Sequence, residues 1–495
     1  MRDDDAVLWM VALCACALAI AVWSGFAPLS DPDLPNHLAM GERIVAHRGV
    51  PRIEPFAWTR EGAPFFAYSW LAELAMFTVL RMMGPFGLHL LAGAAGAGAT
   101  LAAAAAARAL GAKPASATAF GVASAIVALE STPFLRPQLF MHVVVPLAWV
   151  CTARIARSER TSAAPLFALM LVSAVAASVH ITFPVVAVPL VLLALGPQPD
   201  RDRRLVMAGG AVIAGWLLSP YALAWPDVFR LNFAPNAITR YPAPTGELTP
   251  GFIVAPLIGT LLAALPLVAL PRLPGARERT WYGLLWLVGL ILFARMFKGL
   301  GPWWWCTMPM TVTVLSLLPT LSSTATRRVY ALLLVACVAA LGLPTLRLYG
   351  ELSRFEGGVG RSTLPSLKGY AAEPAARWLE LHMLHGATGR LLTSFNYGSY
   401  LEWRLPTLSV SVDGRTIFPD SAAMPDAISE RGTVYEGPWM SSDVAIVPVT
   451  FPVAARLDAD PRWRRIGVAA PAPWATAAPR AGLWVRRSWW QVARR

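Results

Sequence analysis

The chain has 495 residues, of which 56% are hydrophobic and only 14% charged, with a formal net charge of +13. A soluble domain carries about a quarter charged residues, so this composition excludes an ordinary soluble enzyme. The positive charge does not point to nucleic acid, because many Lys and Arg residues fall in short turns between apolar blocks, where they set membrane orientation.

The first apolar block, 6–29, "AVLWMVALCACALAIAVWSGFAPL", runs without a charge. It is long enough to span a bilayer, which takes about 20 residues, and it is too long in its apolar core for a signal peptide. Further blocks follow at about 87–107, 115–131, 138–153, 163–179, 182–198, 205–225, 251–271, 281–297, 302–320 and 329–346. The fold class expected is an α-helical polytopic membrane protein of about eleven spans. With the N-terminus in the cytoplasm, the turns "ARALGAKP", "RIARSER", "DRDRR", "RLPGARER" and "TRR" all fall on the cytoplasmic side, as the positive-inside rule requires. This parity holds only if 68–83, "YSWLAELAMFTVLRMM", does not cross. Its length and its Glu73 and Arg81 predict a re-entrant or interfacial helix on the outer side.

The same threading gathers polar groups on the outer face. They are Asp31, Asp33, His37 and Glu73; Arg136 and Gln138 in "FLRPQLF"; His180; Tyr221 in "SPYALAWPD"; Glu247; and Arg295 with Lys298 in "ARMFKGLGPWWW". Ionisable residues beside hydrocarbon are costly and face a cavity or one another. After about residue 350 the composition turns soluble. The domain expectation is therefore 1–349 for the membrane portion, with a first outer loop at 30–86, and 350–495 for a small extracytoplasmic α/β domain. In it "EPAARWLELHML" reads as a helix, and "LLTSFN", "LSVSVDG", "SDVAIVPV" and "GLWVRRS" read as strands. The five cysteines all lie in apolar segments, which excludes a disulfide framework and favours small packing residues.

At "DPDLPNHLAMGERIVAHRGVPRIEPFAWT" the chain resembles the polytopic glycosyltransferases of the GT-C fold. It is similar to a bacterial branch with the pattern D-x-D-x-x-x-H-L-x-x-G-x-x-I followed by P-x-x-x-P-F. "YSWLAEL", "RPQLF", "SPYAL" and "NYGSYLEWRLP…SVDGRT" match later landmarks of that branch. Leu34-Pro35-Asn36 stands where two aromatics commonly precede the histidine, and "SVHIT" stands where Asn-Leu-His-Gly is common; these departures leave donor specificity open. The resemblance implies a polyprenyl-phosphate-linked sugar donor, acidic catalytic residues on the first outer loop, and work at the outer face of the bacterial inner membrane. The acceptor, a glycan, lipid or protein, is not named by it, and no nucleic acid is implied.

Glycosyl transfer needs a carboxylate to take the acceptor proton and cations for the leaving phosphate. Asp31 or Asp33 suits the first role. Arg136, Arg295 and Lys298 suit the second, Arg being the better bidentate partner. In an extended chain the two acids would share one face; in a turn, Asp33 would instead cap the helix that starts near Asn36. His37 is expected to hydrogen-bond an acid, and Glu73 to pair with Arg136. A divalent metal shared by the two aspartates, with His37 and Glu247 as further ligands, is left open, since the spacing matches no standard motif. Arg295 and Lys298 share a helical face only if their helix continues; otherwise they snorkel. Trp303, Trp304 and Trp305 read as an interfacial aromatic belt, with a sugar-stacking platform as the other reading. A non-catalytic protein of the same fold, a scaffold in envelope polysaccharide assembly, is the alternative function. A transporter would show inverted repeats and charges near mid-membrane, and neither is visible.

Overall fold

The computed structural model describes residues 3–25, 29, 31–132, 135–158, 162–196, 200–233, 257–273, 275–295, 299–317, 327–336 apart from 329 and 333, 371–415, 441–467 and 480–494. The chain divides into two compact units. One comprises Met1–Ala27, Phe86–Leu223 and Pro244–Gly350; the other comprises Pro28–Pro85, Ala224–Ala243 and Glu351–Arg495. The first outer loop thus groups with the C-terminal residues rather than with the spans, whereas the sequence reading assigned it to the membrane portion.

The first unit is helical. Its elements are α1 (Asp3–Gly25), α4 (Pro85–Ala109), α5 (Pro114–Ser131), α6 (Pro137–Arg157), α7 (Ala163–Val179), α8 (Val191–Leu195) and α9 (Arg201–Leu217), then the helices Leu257–Ala264, Ala276–Arg295 and Leu300–Leu317. α2 (Leu34–His47) and α3 (Trp70–Met83) belong to the second unit. Among the described residues four helices, Ala6–Gly25, Pro85–Ala109, Pro114–Ser131 and Pro137–Arg157, are each long and apolar enough to cross a bilayer. The chain is a multi-pass membrane protein. On Ala276–Arg295 the exposed Trp281, Leu284, Val288 and Ile291 recur every three or four residues, a lipid-facing stripe.

Small residues let these helices approach. In the alanine run of α4, Ala102, Ala103, Ala104, Ala106 and Ala107 are buried. A Cβ on Gly93 would lie 2.7 Å from the Ala21 carbonyl oxygen, and one on Gly121 2.6 Å from that of Thr100. Cys16 and Ile20 of α1 pack on Val122, Ala125 and Leu129 of α5. Cys151 and Cys306 are buried and Cys14 exposed, all with free thiols; Cys337 lies outside the described residues.

Three expected spans are broken or shortened. The span expected over 182–198 is a 3-10 helix, Phe183–Leu190, followed by α8. Pro189, inside this segment, removes an amide that an α-helix there would use. The span expected over 205–225 begins earlier and ends at Leu217, where Ser219 and Pro220 open a turn. From the span expected over 251–271, the described part is an α-helix to Ala264 and then 3-10 turns at Pro266 and Pro271.

In the second unit a five-stranded sheet has the order β2-β1-β3-β5-β4. The strands are β1 (Gly389–Thr393), β2 (Leu408–Val410), β3 (Val444–Pro448), β4 (Trp463–Ile466) and β5 (Ala481–Arg486). β2, β1 and β3 run parallel, whereas β5 is antiparallel to both β3 and β4. β4 was not anticipated, since only Trp463 and Ile466 in "WRRI" are apolar. Leu392, Val447, Phe451, Leu457, Trp463 and Trp484 form the core of this sheet. The helix Phe395–Arg404 carries the chain from β1 back to β2, the crossover that parallel strands need.

Candidate functional site

The two acids of the first loop do not lie in an extended strand. Pro32 and Asp33 form a turn, in which the Leu34 amide donates to the Asp31 carbonyl at 3.2 Å. The fully buried Asp31 accepts the Asp33 amide on its own carboxylate at 3.0 Å. Asp33 occupies the N-cap position of α2 but makes no side-chain cap bond, so the helix-capping role considered for it is not what its carboxylate does. The carboxylate is half-buried and approaches Gly414 instead.

α2 packs on α3 because Gly41 leaves room. A Cβ there would sit 2.3 Å from the Glu73 carbonyl oxygen. His37 Nδ1 and Glu73 Oε1 lie 3.1 Å apart across this crossing. Glu73 therefore pairs with His37, not with Arg136 as the sequence suggested. The other Glu73 oxygen is buried without a hydrogen-bond partner.

The proline-rich part of the loop extends the C-terminal sheet. The Val410 amide donates to Phe56 O at 3.0 Å, and Ala57 bridges Val410 in parallel. Trp58 Nε1 donates to Leu391 O at 3.3 Å, and Thr59 Oγ1 to Ser411 O at 2.5 Å. The open edge of β2 is thus covered. The segment "SVDGRT" leaves β2 at its carboxyl end, the end at which open α/β sheets bind ligands. Gly398, from "NYGSYLEWRLP", is needed where the helix Phe395–Arg404 meets this turn, because a Cβ would come 1.9 Å from Val412 O.

Four ionisable groups, Glu54, Glu402, Asp413 and Arg415, meet there. Arg415 Nε donates to Asp413 Oδ1 at 2.8 Å, and Arg415 Nη2 to Glu54 Oε1 at 2.8 Å. Phe65 and Phe56 flank the guanidinium, 5.0 and 5.7 Å from ring centre to Cζ. Asn36 Nδ2 of α2 donates to Glu402 Oε1. Burial would raise the Glu54 pKa, but the charge and hydrogen bond of Arg415, with the amides of Phe56 and Ala57, outweigh burial and hold its carboxyl below the usual range. Glu402 goes the other way. Burial first, then the charges of Asp413 and Glu54, push it well above the usual carboxylate range against the pull of Arg415 and Asn36. The signal for both was an acid inside an aromatic, apolar setting, "IEPF" and "YLEW".

Gly414 ties this cluster to the first loop. A Cβ there would fall 2.6 Å from Asp33 Oδ1 and 2.9 Å from Ser399 Oγ. Both are side-chain ends that can rotate away. Gly414→Ala is expected to keep the fold while displacing the Asp33 carboxylate. Thermal unfolding should then be nearly unchanged, and turnover should fall about tenfold or more, as for a misplaced catalytic group.

In the first unit, Arg136 is half-buried and immediately precedes the N-terminus of α6, in an extended conformation. A cation gains nothing from the helix dipole there. Gln138 is buried in the first turn of α6. His180 ends α7 and accepts the Thr182 amide on Nδ1 at 3.3 Å, a local turn contact. Tyr221 is buried, with its amide 3.4 Å from Ser219 Oγ. Arg295 is exposed in the last turn of Ala276–Arg295. Glu247 and Lys298 lie outside the described residues.

The tryptophan triplet is neither an interfacial belt nor a stacking platform. All three indoles are buried. Trp303 stacks on Phe293 at 5.2 Å and Trp304 on Phe120 at 5.3 Å. Trp305 Nε1 donates to His142 Nδ1 at 3.3 Å, and His142 Nε2 lies 3.3 Å from Ser131 Oγ. In a helix that is apolar all round, all faces are core, which the run of aromatics at a predicted span end concealed.

Among the described residues no three His, Cys, Asp or Glu side chains are grouped to hold a metal ion.

No family model matches the sequence, and comparison with curated proteins gives no match. Solved structures do match. The ArnT structure from Cupriavidus metallidurans in the apo state superposes with a TM-score of 0.52 at 14% identity, over 96% of this chain and 97% of that one. The Archaeoglobus fulgidus oligosaccharyltransferase in the apo form gives 0.52 at 13% identity, over 89% of this chain and 69% of that one. Arabinofuranosyltransferase AftD from Mycobacteria gives 0.57 at 15% identity; 98% of this chain matches, but only 41% of that longer one. These are membrane glycosyltransferases of one architecture, and this chain has the same GT-C fold, with its small C-terminal sheet.

Proposed function

We propose that the protein is a glycosyltransferase of the bacterial inner membrane, using a polyprenyl-phosphate-linked sugar and working at the outer face. The observation that carries this reading is the Asp31–Pro32–Asp33 turn held against the Asp413–Gly414–Arg415 turn, in a chain of GT-C fold. Undecaprenyl phosphate bound to ArnT in a second structure of that enzyme supports the class of donor.

In the proposed reaction the acceptor hydroxyl oxygen attacks the anomeric carbon, and the bond from that carbon to the phosphate oxygen breaks. The proton passes to Asp33, and the electron pair leaves with the polyprenyl phosphate. Asp33 suits the base better than Asp31, because Asp31 is buried and holds the Asp33 amide. His37 and Glu73 support α2 beside it. Arg136 is the proposed ligand of the leaving phosphate, a bidentate role suited to guanidinium. Gln138, His180, Tyr221 and Arg295 remain candidate contacts, as do Glu247 and Lys298, and the acceptor remains a glycan, lipid or protein.

The test is transfer from a radiolabelled polyprenyl-phosphate sugar by protein reconstituted in vesicles, comparing wild type with Arg136→Gln. Loss of the charge is expected to weaken donor binding and turnover by about tenfold to a hundredfold, since hydrogen bonds to charged groups are worth about 1.5–3 kcal/mol. No transfer from any polyprenyl-phosphate donor by wild type would favour the scaffold reading.

A further inference from the structure

A groove of about 720 Å³ opens between α4 and α6 at the end of the bundle that carries the basic turns. Its lining includes Ala105 and Arg108 from α4, and Val150, Ala153, Arg154 and Arg157 from α6. All three arginines are exposed. Among the described residues none of the three forms an ion pair, and no carboxylate lines the groove. Arg108 donates to the Ala112 carbonyl oxygen. The Arg157 Nη2 lies 3.3 Å from where a Cβ on Gly111 would sit, over the α4–α5 turn.

Orientation alone explains arginines near a span end, and the helix dipole favours them in a last turn. Neither requires three of them around one cavity whose other wall is apolar. Ala105, Val150 and Ala153 form that wall. Leu101 and Leu147, both exposed, continue it about one turn further along each helix. A path that is apolar toward the middle of the helices and cationic at their ends matches an acyl chain joined to a phosphate. A zwitterionic headgroup would bring an ammonium, and among the described residues no acid lines the groove to meet it.

We propose that this groove binds an anionic phospholipid of the bilayer, with Arg108, Arg154 and Arg157 holding its headgroup phosphate and Ala105, Val150 and Ala153 its acyl chain. The site is separate from the residues assigned to glycosyl transfer. Basic pockets between membrane helices bind lipid phosphates through charge at close range.

The test uses the full chain, delipidated in a neutral detergent. Dioleoyl phosphatidylglycerol, dioleoyl phosphatidylcholine and inorganic phosphate are titrated separately, and binding is read by native mass spectrometry and by the thermal midpoint. Saturable phosphatidylglycerol binding is expected, with phosphatidylcholine bound about tenfold more weakly or less. R108Q/R154Q/R157Q should lose about tenfold or more in phosphatidylglycerol affinity, given about 1 kcal/mol for each basic residue near an anionic surface. Ala105→Phe, which fills the apolar wall and leaves the arginines in place, should weaken it as well. Equal binding of the two lipids, or unchanged binding by the folded triple variant, would overturn the proposal. So would inorganic phosphate raising the midpoint as much as the lipid does. If the triple variant does not fold, full phosphatidylglycerol binding by folded Ala105→Phe overturns it.

Discussion

Asp33→Asn is expected to lower glycosyl transfer about 10²–10⁴-fold, the usual contribution of a positioned general base, while leaving donor binding and the unfolding midpoint near wild type. The amide is nearly isosteric, and the carboxylate makes no cap bond whose loss would loosen α2. Asp31→Asn is expected to behave differently. An asparagine oxygen still accepts the Asp33 amide, the bond that Asp31 makes now at 3.0 Å, so the turn should persist and activity should stay within about tenfold. The measurement is kcat and KM for both variants with the true donor and acceptor. If interactions are lost only in the transition state, kcat falls and KM stays. A ranking with Asp31→Asn as the dead variant and Asp33→Asn as the active one would move the base to Asp31. Full activity in both would remove the first-loop acids from the chemistry.

The sequence already separated the helical portion from the sheet, because apolar blocks of span length and short alternating strands differ in period. It did not resolve where proline converts a span into 3-10 turns, as at Pro189. Hydropathy counts those residues as apolar and takes no account of missing amides. Trp303, Trp304 and Trp305 misled for a related reason. Aromatic belts and buried aromatic cores have the same composition, and only packing on Phe293, Phe120 and His142 separates them. The Asp31 and Asp33 pair was visible in the sequence, but the turn that gives the two carboxylates different surroundings is one that two residues of spacing cannot fix. The acidic partners were the least legible. Glu54 and Arg415 are 361 residues apart, and Asn36 and Glu402 are 366 apart. No local pattern joins residues so far apart in the chain.

That long-range cluster gives the largest expected effect on stability. Arg415→Met removes the guanidinium that donates to both Asp413 and Glu54, and leaves Arg60, 3.9 Å from Glu54 Oε2, as the cation beside Glu54 among the described residues. Breaking a buried ion pair from one side costs about 3–5 kcal/mol, because the remaining charge loses its compensation. The pH dependence should change sign as well. In the native protein the Glu54 carboxyl is held below its ordinary range, burial being outweighed first by Arg415. A depressed carboxylate stabilises the fold above its unfolded pKa, and that stabilisation is lost as pH falls through the folded value. Without Arg415 its downward pull is gone, and burial drives the Glu54 carboxyl upward against what remains, the amides of Phe56 and Ala57 and the more distant Arg60. A raised carboxyl stabilises only while protonated, so stability would then decline as pH rises above the unfolded value, about 4.3 for glutamate. Denaturant unfolding of the detergent-solubilised chain between about pH 4 and 7 reads both effects. Arg415→Met should unfold earlier at pH 7 and recover part of the loss toward pH 5. Adding Glu54→Gln should restore some stability at pH 7, since it removes one of the two carboxylates left without Arg415. A single variant as stable as wild type at pH 7, with an unchanged pH slope, would mean that the Asp413–Gly414–Arg415 turn is not held to the first loop by charge.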